Sequence, residues 1–139
     1  MKIPYVNLSL QSNKIKTNLT NIFKDIIDEG NFVGGKQIHL FEKNIAKYCG
    51  TKYAVALNSG TDALTLALHA CGVRKGDQVI TTPNSFIAST AVIIHLGATP
   101  VFVDVLNDQN IDHNKIEKYI NKKTKVIMPV HLTGRLSNM

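Results

Sequence analysis

The stretch Asn58-Ser59-Gly60-Thr61-Asp62-Ala63-Leu64 decides the fold. It lies between a short apolar run, Tyr53 to Leu57, and a longer apolar run, Ala63 to Cys71. The first has the length and composition of a strand, and the second has those of a helix. A strand that turns through Ser-Gly-Thr into a helix leaves free backbone N–H groups at the helix start. Those groups and the positive end of the helix dipole form a seat for an anion such as phosphate. The same residues also read as an ordinary helix N-cap, with Gly60 easing the turn. The motif is neither G-x-G-x-x-G nor G-x-x-x-x-G-K-[ST], so a dinucleotide or ATP site finds little support.

Outward from this turn the chain alternates between strand and helix. Apolar runs predict strands at Ala54–Leu57, Gln78–Thr82, Pro100–Val105 and Lys125–Val130. Helices are expected between them at about Asp62–Cys71, Ser85–Leu96 and Asp112–Ile120, the last capped by Asp112. Short continuous apolar strands separated by helices imply an α/β fold, a mainly parallel sheet with flanking helices on both faces. Ligands of such sheets collect at the C-terminal strand ends. Here that edge comprises the loops Asn58–Thr61, Thr82–Ser85, Leu106–Asn110 and His131–Gly134. The first two bring small hydroxyl residues beside an aromatic, Phe86, a combination suited to a planar phosphorylated ligand.

Before Gly50 the grammar is helical. Residues 1 to 12 read as extended, with Pro4 opposing an early helix. Ile15, Leu19, Ile22, Phe23, Ile26 and Ile27 then recur at helical spacing up to Gly30, a C-cap. A second helix runs from about Lys36 to Tyr48, closed by Gly50.

The 139 residues suit a single domain, and 44% hydrophobic residues suffice for a core. No apolar run approaches the roughly 20 residues that span a bilayer, and the N-terminus lacks a signal-peptide core, so a cytoplasmic protein is expected. The formal charge is +6, but only Arg74 and Arg135 of the 16 basic residues are arginines. Scattered lysines point to solvated helix faces rather than to nucleic acid. Cys49 and Cys71 are expected to be buried free thiols, and no Cys/His cluster has metal-ligand spacing.

Other polar residues carry weaker signals. Phe86 on its own reads as a core residue. His131, at the end of the last strand, is more readily a hydrogen-bonded structural residue than a catalyst. Asp104 reads first as a polar strand terminus. No nucleophile elbow and no paired carboxylates appear.

Taken together, these pieces resemble the N-terminal part of the DegT/StrS family of pyridoxal-phosphate nucleotide-sugar aminotransferases. The resemblance runs from Ile3-Pro4-Tyr5-Val6-Asn7-Leu8 through Phe32-Val33-Gly34 and Phe41-Glu42 and is strongest at residues 58–64. It continues in Gly76-Asp77-Gln78-Val79-Ile80, Thr82-Pro83-Asn84-Ser85-Phe86-Ile87-Ala88, Gly97-Ala98-Thr99-Pro100-Val101-Phe102-Val103-Asp104 and Val130-His131-Leu132-Thr133-Gly134. Departures are Gln78 for an acidic residue, Gly35-Lys36-Gln37 for a Pro-Glu-Val type sequence, and Thr133 for a common Tyr.

The resemblance implies the start of a type I pyridoxal-phosphate transferase large domain over residues 51–139, preceded by an N-terminal helical arm over residues 1–50. It implies pyridoxal 5'-phosphate as cofactor, with Ser59, Gly60 and Thr61 at the phosphate and Phe86 stacked on the pyridine ring. The implied reaction moves an amino group from glutamate to a nucleotide-linked keto-sugar, in a cytoplasmic homodimer, for polysaccharide or glycoconjugate synthesis. No metal, nucleic acid or membrane partner is implied. The family's Schiff-base lysine and its pyridine-pairing aspartate have no counterpart among these residues and are expected beyond Met139, so these 139 residues alone are expected to be inactive. Two rivals stand beside this reading. One is a pyridoxamine-phosphate-dependent sugar dehydratase of the same fold, and the other is a non-catalytic phosphate-ligand-binding module or inert remnant.

Overall fold

The computed structural model describes residues 3–139, so Met1 and Lys2 of the expected extended stretch lie outside the described residues. The chain forms two compact units, Met1–Ala56 and Leu57–Met139.

The first unit contains two helices. Helix α1 spans Leu8–Glu29 and starts earlier than expected. Pro4 lies upstream of the cap and does not obstruct it. Asn7 is the N-cap, its side-chain oxygen accepting from the Leu10 N–H at 3.2 Å. Gly30 ends α1 in the left-handed conformation at φ 68°, where its N–H reaches Ile26 and Ile27 carbonyls, as the glycine at this position foretold. Helix α2 spans Lys36–Cys49. An ion pair between Lys36 and Glu29 bridges the turn between the helices. Ala46 is the buried apolar residue of this unit, whereas Ile15, Leu19, Ile22, Phe23 and Ile27 of the α1 stripe are exposed.

The expected strand Ala54–Leu57 does not form. Residues 53–57 have no strand partner among the described residues, and a strand exists only through its ladder. The Ala56 N–H is satisfied instead by the Glu42 carboxylate at 2.9 Å.

The second unit contains the sheet. Its elements are α3 (Gly60–Ala70), β1 (Gln78–Thr81), α4 (Ala88–His95), β2 (Thr99–Phe102), α5 (His113–Ile116) and β3 (Thr124–Ile127). The strands are parallel in the order β2-β1-β3, with Gln78 opposite both Thr99 and Thr124. The Thr99 N–H donates to the Asp77 carbonyl, just before β1, and the Val103 N–H donates to the Thr81 carbonyl at its end. Alternation along the strand turns the nitrogen of Pro100 away from β1, so β2 accepts a proline at the sheet edge.

Central strand β1 shows why this sequence makes a covered sheet. Val79 and Ile80 are both fully buried, on opposite faces. Val79 packs with Leu68, Val73, Val92, Ile93 and Ala98 beneath α3 and α4. Ile80 packs with Val103 and Ile111, against which Ile116 and Tyr119 rest. Helices on both faces explain the continuous apolar strand, and the α/β reading of the sequence stands.

The strands are shorter than the apolar runs that announced them, and the last predicted helix is one α-turn followed by a 3-10 turn, Glu117–Tyr119. Asp112 caps it as expected, accepting from the Asn114 N–H at 3.1 Å. Both cysteines are exposed rather than buried, because Cys49 ends α2 and Cys71 caps α3, where the chain leaves the apolar stripe.

Asp112 also pairs with Lys115 at 3.0 Å. The hydrogen bond from the Lys115 ammonium is the main cause that holds the Asp112 carboxyl below its ordinary range, against the opposing effect of desolvation. Its stabilising contribution is therefore present above the unfolded-state pKa of about 3.9 and is lost as pH falls through the lower folded-state value. Asp112→Asn should flatten the acid limb of stability below about pH 4. Urea midpoints of the two proteins at neutral and acid pH check this, and an unchanged acid limb would contradict it.

Candidate functional site

The turn before α3 gathers three kinds of group. Ser59 is the N-cap, with extended backbone at φ −152° and ψ 156°. Its hydroxyl accepts from the Asp62 N–H at 3.1 Å and donates to the Asp62 carboxylate at 2.7 Å. Ser59 is thereby committed to the helix start. Ala63 donates to the Ser59 carbonyl at 3.1 Å. Among the described residues, the N–H groups of Gly60 and Thr61 donate to no protein acceptor. Two free N–H groups at the positive end of an 11-residue helix form an anion seat.

The residue at this seat has little reason within the fold to be glycine. Gly60 is helical and is not one of the glycines with positive φ. A Cβ built on it would meet nothing within 4 Å. Its bareness leaves open the space above the free N–H groups, as a ligand approaching the backbone requires.

That space is a concavity of about 700 Å³ within the second unit, in the range of small-molecule sites. Its lining comprises Gly60, Thr61, Ala63, Leu64 and Ala67 of α3, Ser85 and Phe86 before α4, Ala88 and Ser89 of α4, and Val130 after β3. The structure thus brings Gly60, Thr61 and Phe86 around one cavity. Phe86 is 76% exposed and is not packed into the core of the described residues. An exposed ring beside an anion seat has the geometry to stack on a flat ligand. Ser59 is not among the lining residues, since its hydroxyl serves the helix.

Several lining residues were not foreseen. Ala63, Leu64 and Ala67 share one face of α3, and their pattern in the sequence is that of a core helix. Val130 reads as a strand residue. Ser89 is 7% exposed and gives no sequence signal of its own.

The other two expected loops do not line the cavity. They are joined to one another by Asn110, which is 1% exposed. Its amide group donates to the Arg135 and Leu136 carbonyls, each at 3.2 Å, and its side-chain oxygen accepts from the Leu132 N–H at 3.2 Å. Asn84 donates to the Gln109 side chain at 3.0 Å, tying the loop before Phe86 to the same cluster. Gln109 and Thr133 adopt left-handed backbone at φ 71° and 55°. A β-branched residue such as Thr133 is strained there.

His131 takes a structural part. Its Nδ1 accepts from the Ser137 N–H at 3.0 Å, which places the proton of the neutral ring on Nε2. The Asp104 carboxylate accepts from the next N–H, that of Val105, at 2.8 Å, and so closes its own loop. Among the described residues, no group of three metal-ligating side chains occurs, and no helix is long and apolar enough to cross a membrane.

The sequence model of the DegT/DnrJ/EryC1/StrS aminotransferase family matches residues 13–139. A dTDP-3-amino-3,6-dideoxy-alpha-D-galactopyranose transaminase of Aneurinibacillus thermoaerophilus is 38% identical over 138 residues, covering 99% of this chain and 38% of that protein. Among solved structures, DesV of S. venezuelae, in complex with a ketimine intermediate, superposes with a TM-score of 0.95 at 34% identity. That match covers 99% of this chain and 37% of DesV. NtdA of Bacillus subtilis, with bound cofactor PMP, gives a TM-score of 0.93 at 34% identity over 99% of this chain and 32% of its own. The chain therefore spans about a third of the length of the relatives it matches.

Proposed function

The chain belongs to the DegT/DnrJ/EryC1/StrS aminotransferase family, and on that premise we propose that the whole protein is a pyridoxal-phosphate-dependent transaminase of nucleotide-linked keto-sugars. In this reading residues 51–139 are the first part of the cofactor-binding large domain and residues 1–50 are its helical arm. The observation that carries the proposal is that Gly60 and Thr61, whose N–H groups have no protein acceptor among the described residues, line the same cavity as the exposed Phe86.

The residues present fit the cofactor. The phosphate would sit on the Gly60 and Thr61 N–H groups, beside a position where no protein atom lies within 4 Å of a Cβ built on Gly60. The Thr61 hydroxyl would add a donor to the same anion. Phe86 would cover one face of the pyridine ring and fix its plane. Ala63, Leu64 and Ala67 supply an apolar wall that excludes water from that side. Pyridoxal phosphate, when bound, would supply the electron sink for removing the proton from the carbon that bears the transferred amino group. This chain's share of the work is to bind and orient, because the cavity lining contains no titratable side chain.

Glutamate as amino donor, a homodimeric assembly and a cytoplasmic location belong to the same proposal and rest on the family resemblance. Polysaccharide or glycoconjugate synthesis is the accompanying role. The test is to incubate the whole protein with ¹⁵N-glutamate and dTDP- or UDP-linked keto-sugars. An ¹⁵N-labelled amino-sugar, with 2-oxoglutarate formed in equal amount, is the expected result. Loss of water from the sugar without nitrogen transfer would favour a dehydratase and overturn the proposal.

A further inference from the structure

The Phe86 ring has little packing to hold it, being 76% exposed. Nor does its helix hold it in the usual way, because α4 begins at an N-cap, Ile87, that has no side-chain capping bond. The segment that leads to it is a series of bends, with Ser85 N–H donating to the Pro83 carbonyl at 3.0 Å. A ring that must lie flat on a ligand needs its backbone fixed by something else.

Ser85 and Ser89 answer that need. Their hydroxyls are 2.8 Å apart across the first turn of α4. The Ser89 N–H also donates to the Phe86 carbonyl at 3.1 Å. Ser89 thus grips the chain immediately before Phe86 with its side chain and Phe86 itself with its backbone. Ser89 is a buried hydroxyl between Ala88, Val92 and Ile93, on a face that is otherwise apolar. A buried hydroxyl is costly unless its hydrogen bond is made, so this one is expected to have a use.

We propose that Ser89, through its bond to Ser85, is a positioning residue that sets the Phe86 ring over the cavity. The proposal rests on the reading of Phe86 as the stacking surface for the cofactor ring.

The experiment measures the affinity of the whole protein for pyridoxamine 5'-phosphate by calorimetry, with the induced circular dichroism of the bound ring as a signature of its orientation. Phe86→Ala should weaken binding about ten-fold, as loss of an aromatic stacking partner does. Ser89→Ala should weaken it about three- to ten-fold, the worth of one hydrogen bond, and reduce the induced signal. Ser89→Thr keeps the hydroxyl and should restore both. Adding Ser89→Ala to Phe86→Ala should cause no further loss, because the two act through one ring. Ser85→Ala breaks the same bond from the other side and should match Ser89→Ala, which also covers the case of a poorly folding Ser89 variant. An unchanged affinity in Ser89→Ala, or an equal loss in the Phe86→Ala background, overturns the positioning role alone. An unchanged affinity in Phe86→Ala overturns the stacking reading and the positioning role with it.

Discussion

Replacing Gly60 by valine is expected to leave the fold intact and to weaken binding of pyridoxamine 5'-phosphate by about ten- to a hundred-fold. The two halves of this result have separate causes. Gly60 is the first residue of α3, is not left-handed, and has open space where a side chain would go. Glycine is a poor helix residue, so the substitution should leave stability unchanged or raise it by up to about 1 kcal/mol. The new side chain would stand over the free N–H groups of residues 60 and 61 and block an anion's approach. A charge-assisted hydrogen bond is worth about 1.5–3 kcal/mol, so losing one gives the stated fold-change. Binding of pyridoxamine, which lacks the phosphate, should change little. Thermal melts and calorimetry on the whole protein check both halves. A Gly60→Val protein that melts early, or that binds the phosphorylated compound as tightly as before, would contradict the account.

The second large effect is on stability and lies away from the cavity. Asn110→Ala removes the three side-chain hydrogen bonds that hold the 132–136 segment, to Arg135 and Leu136 carbonyls and from the Leu132 N–H, besides a longer one to the Asp108 carboxylate. At about 0.5–1.5 kcal/mol each, the loss should be about 2–4 kcal/mol. Asn110 is 1% exposed, so no solvent stands ready to replace its amide without a shift of the chain. The damage should be local, releasing the segment from His131 to Ser137 first. Hydrogen exchange at the Leu132 and Ser137 amides reads this directly, with exchange rising well before global unfolding. A change below about 0.5 kcal/mol with unaltered exchange would show that the segment is held by other means.

These two residues also mark what the sequence could and could not convey. The Ser-Gly-Thr turn was legible because a helix start after an apolar run has a local grammar of cap, small residue and periodic apolar face. The same local logic located Gly30 and Gly50 as helix ends and Asp112 as a cap. The alternation of Val79 and Ile80 between two buried faces follows from a run of apolar residues too short for a helix and lacking polar alternation.

What escaped depended on partners, near or far in the chain, that residue type alone does not name. The run Ala54–Leu57 has strand composition, yet a ladder needs a neighbour, and none lies among the described residues. Asn110 resembles any loop asparagine until the fold brings residues 132–136 onto it. Ser89 resembles any helix serine until Ser85 closes on it. Ser59 reads from the sequence as a phosphate contact beside Gly60 and Thr61, and residue type alone does not reveal the bonds its hydroxyl makes with Asp62. The start of α1 at Leu8 rather than Asn13 reflects a cap, Asn7, whose effect exceeded that of the nearby proline.

The central claim is that the Gly60-Thr61 turn holds the phosphate of a pyridine cofactor while Phe86 covers its ring. Comparative titration of the whole protein with pyridoxamine 5'-phosphate and with pyridoxamine tests it most directly. The account expects the phosphorylated compound to bind at least about a hundred-fold more tightly, the worth of one to two charge-assisted hydrogen bonds at the helix start. Equal affinity for the two compounds would contradict it.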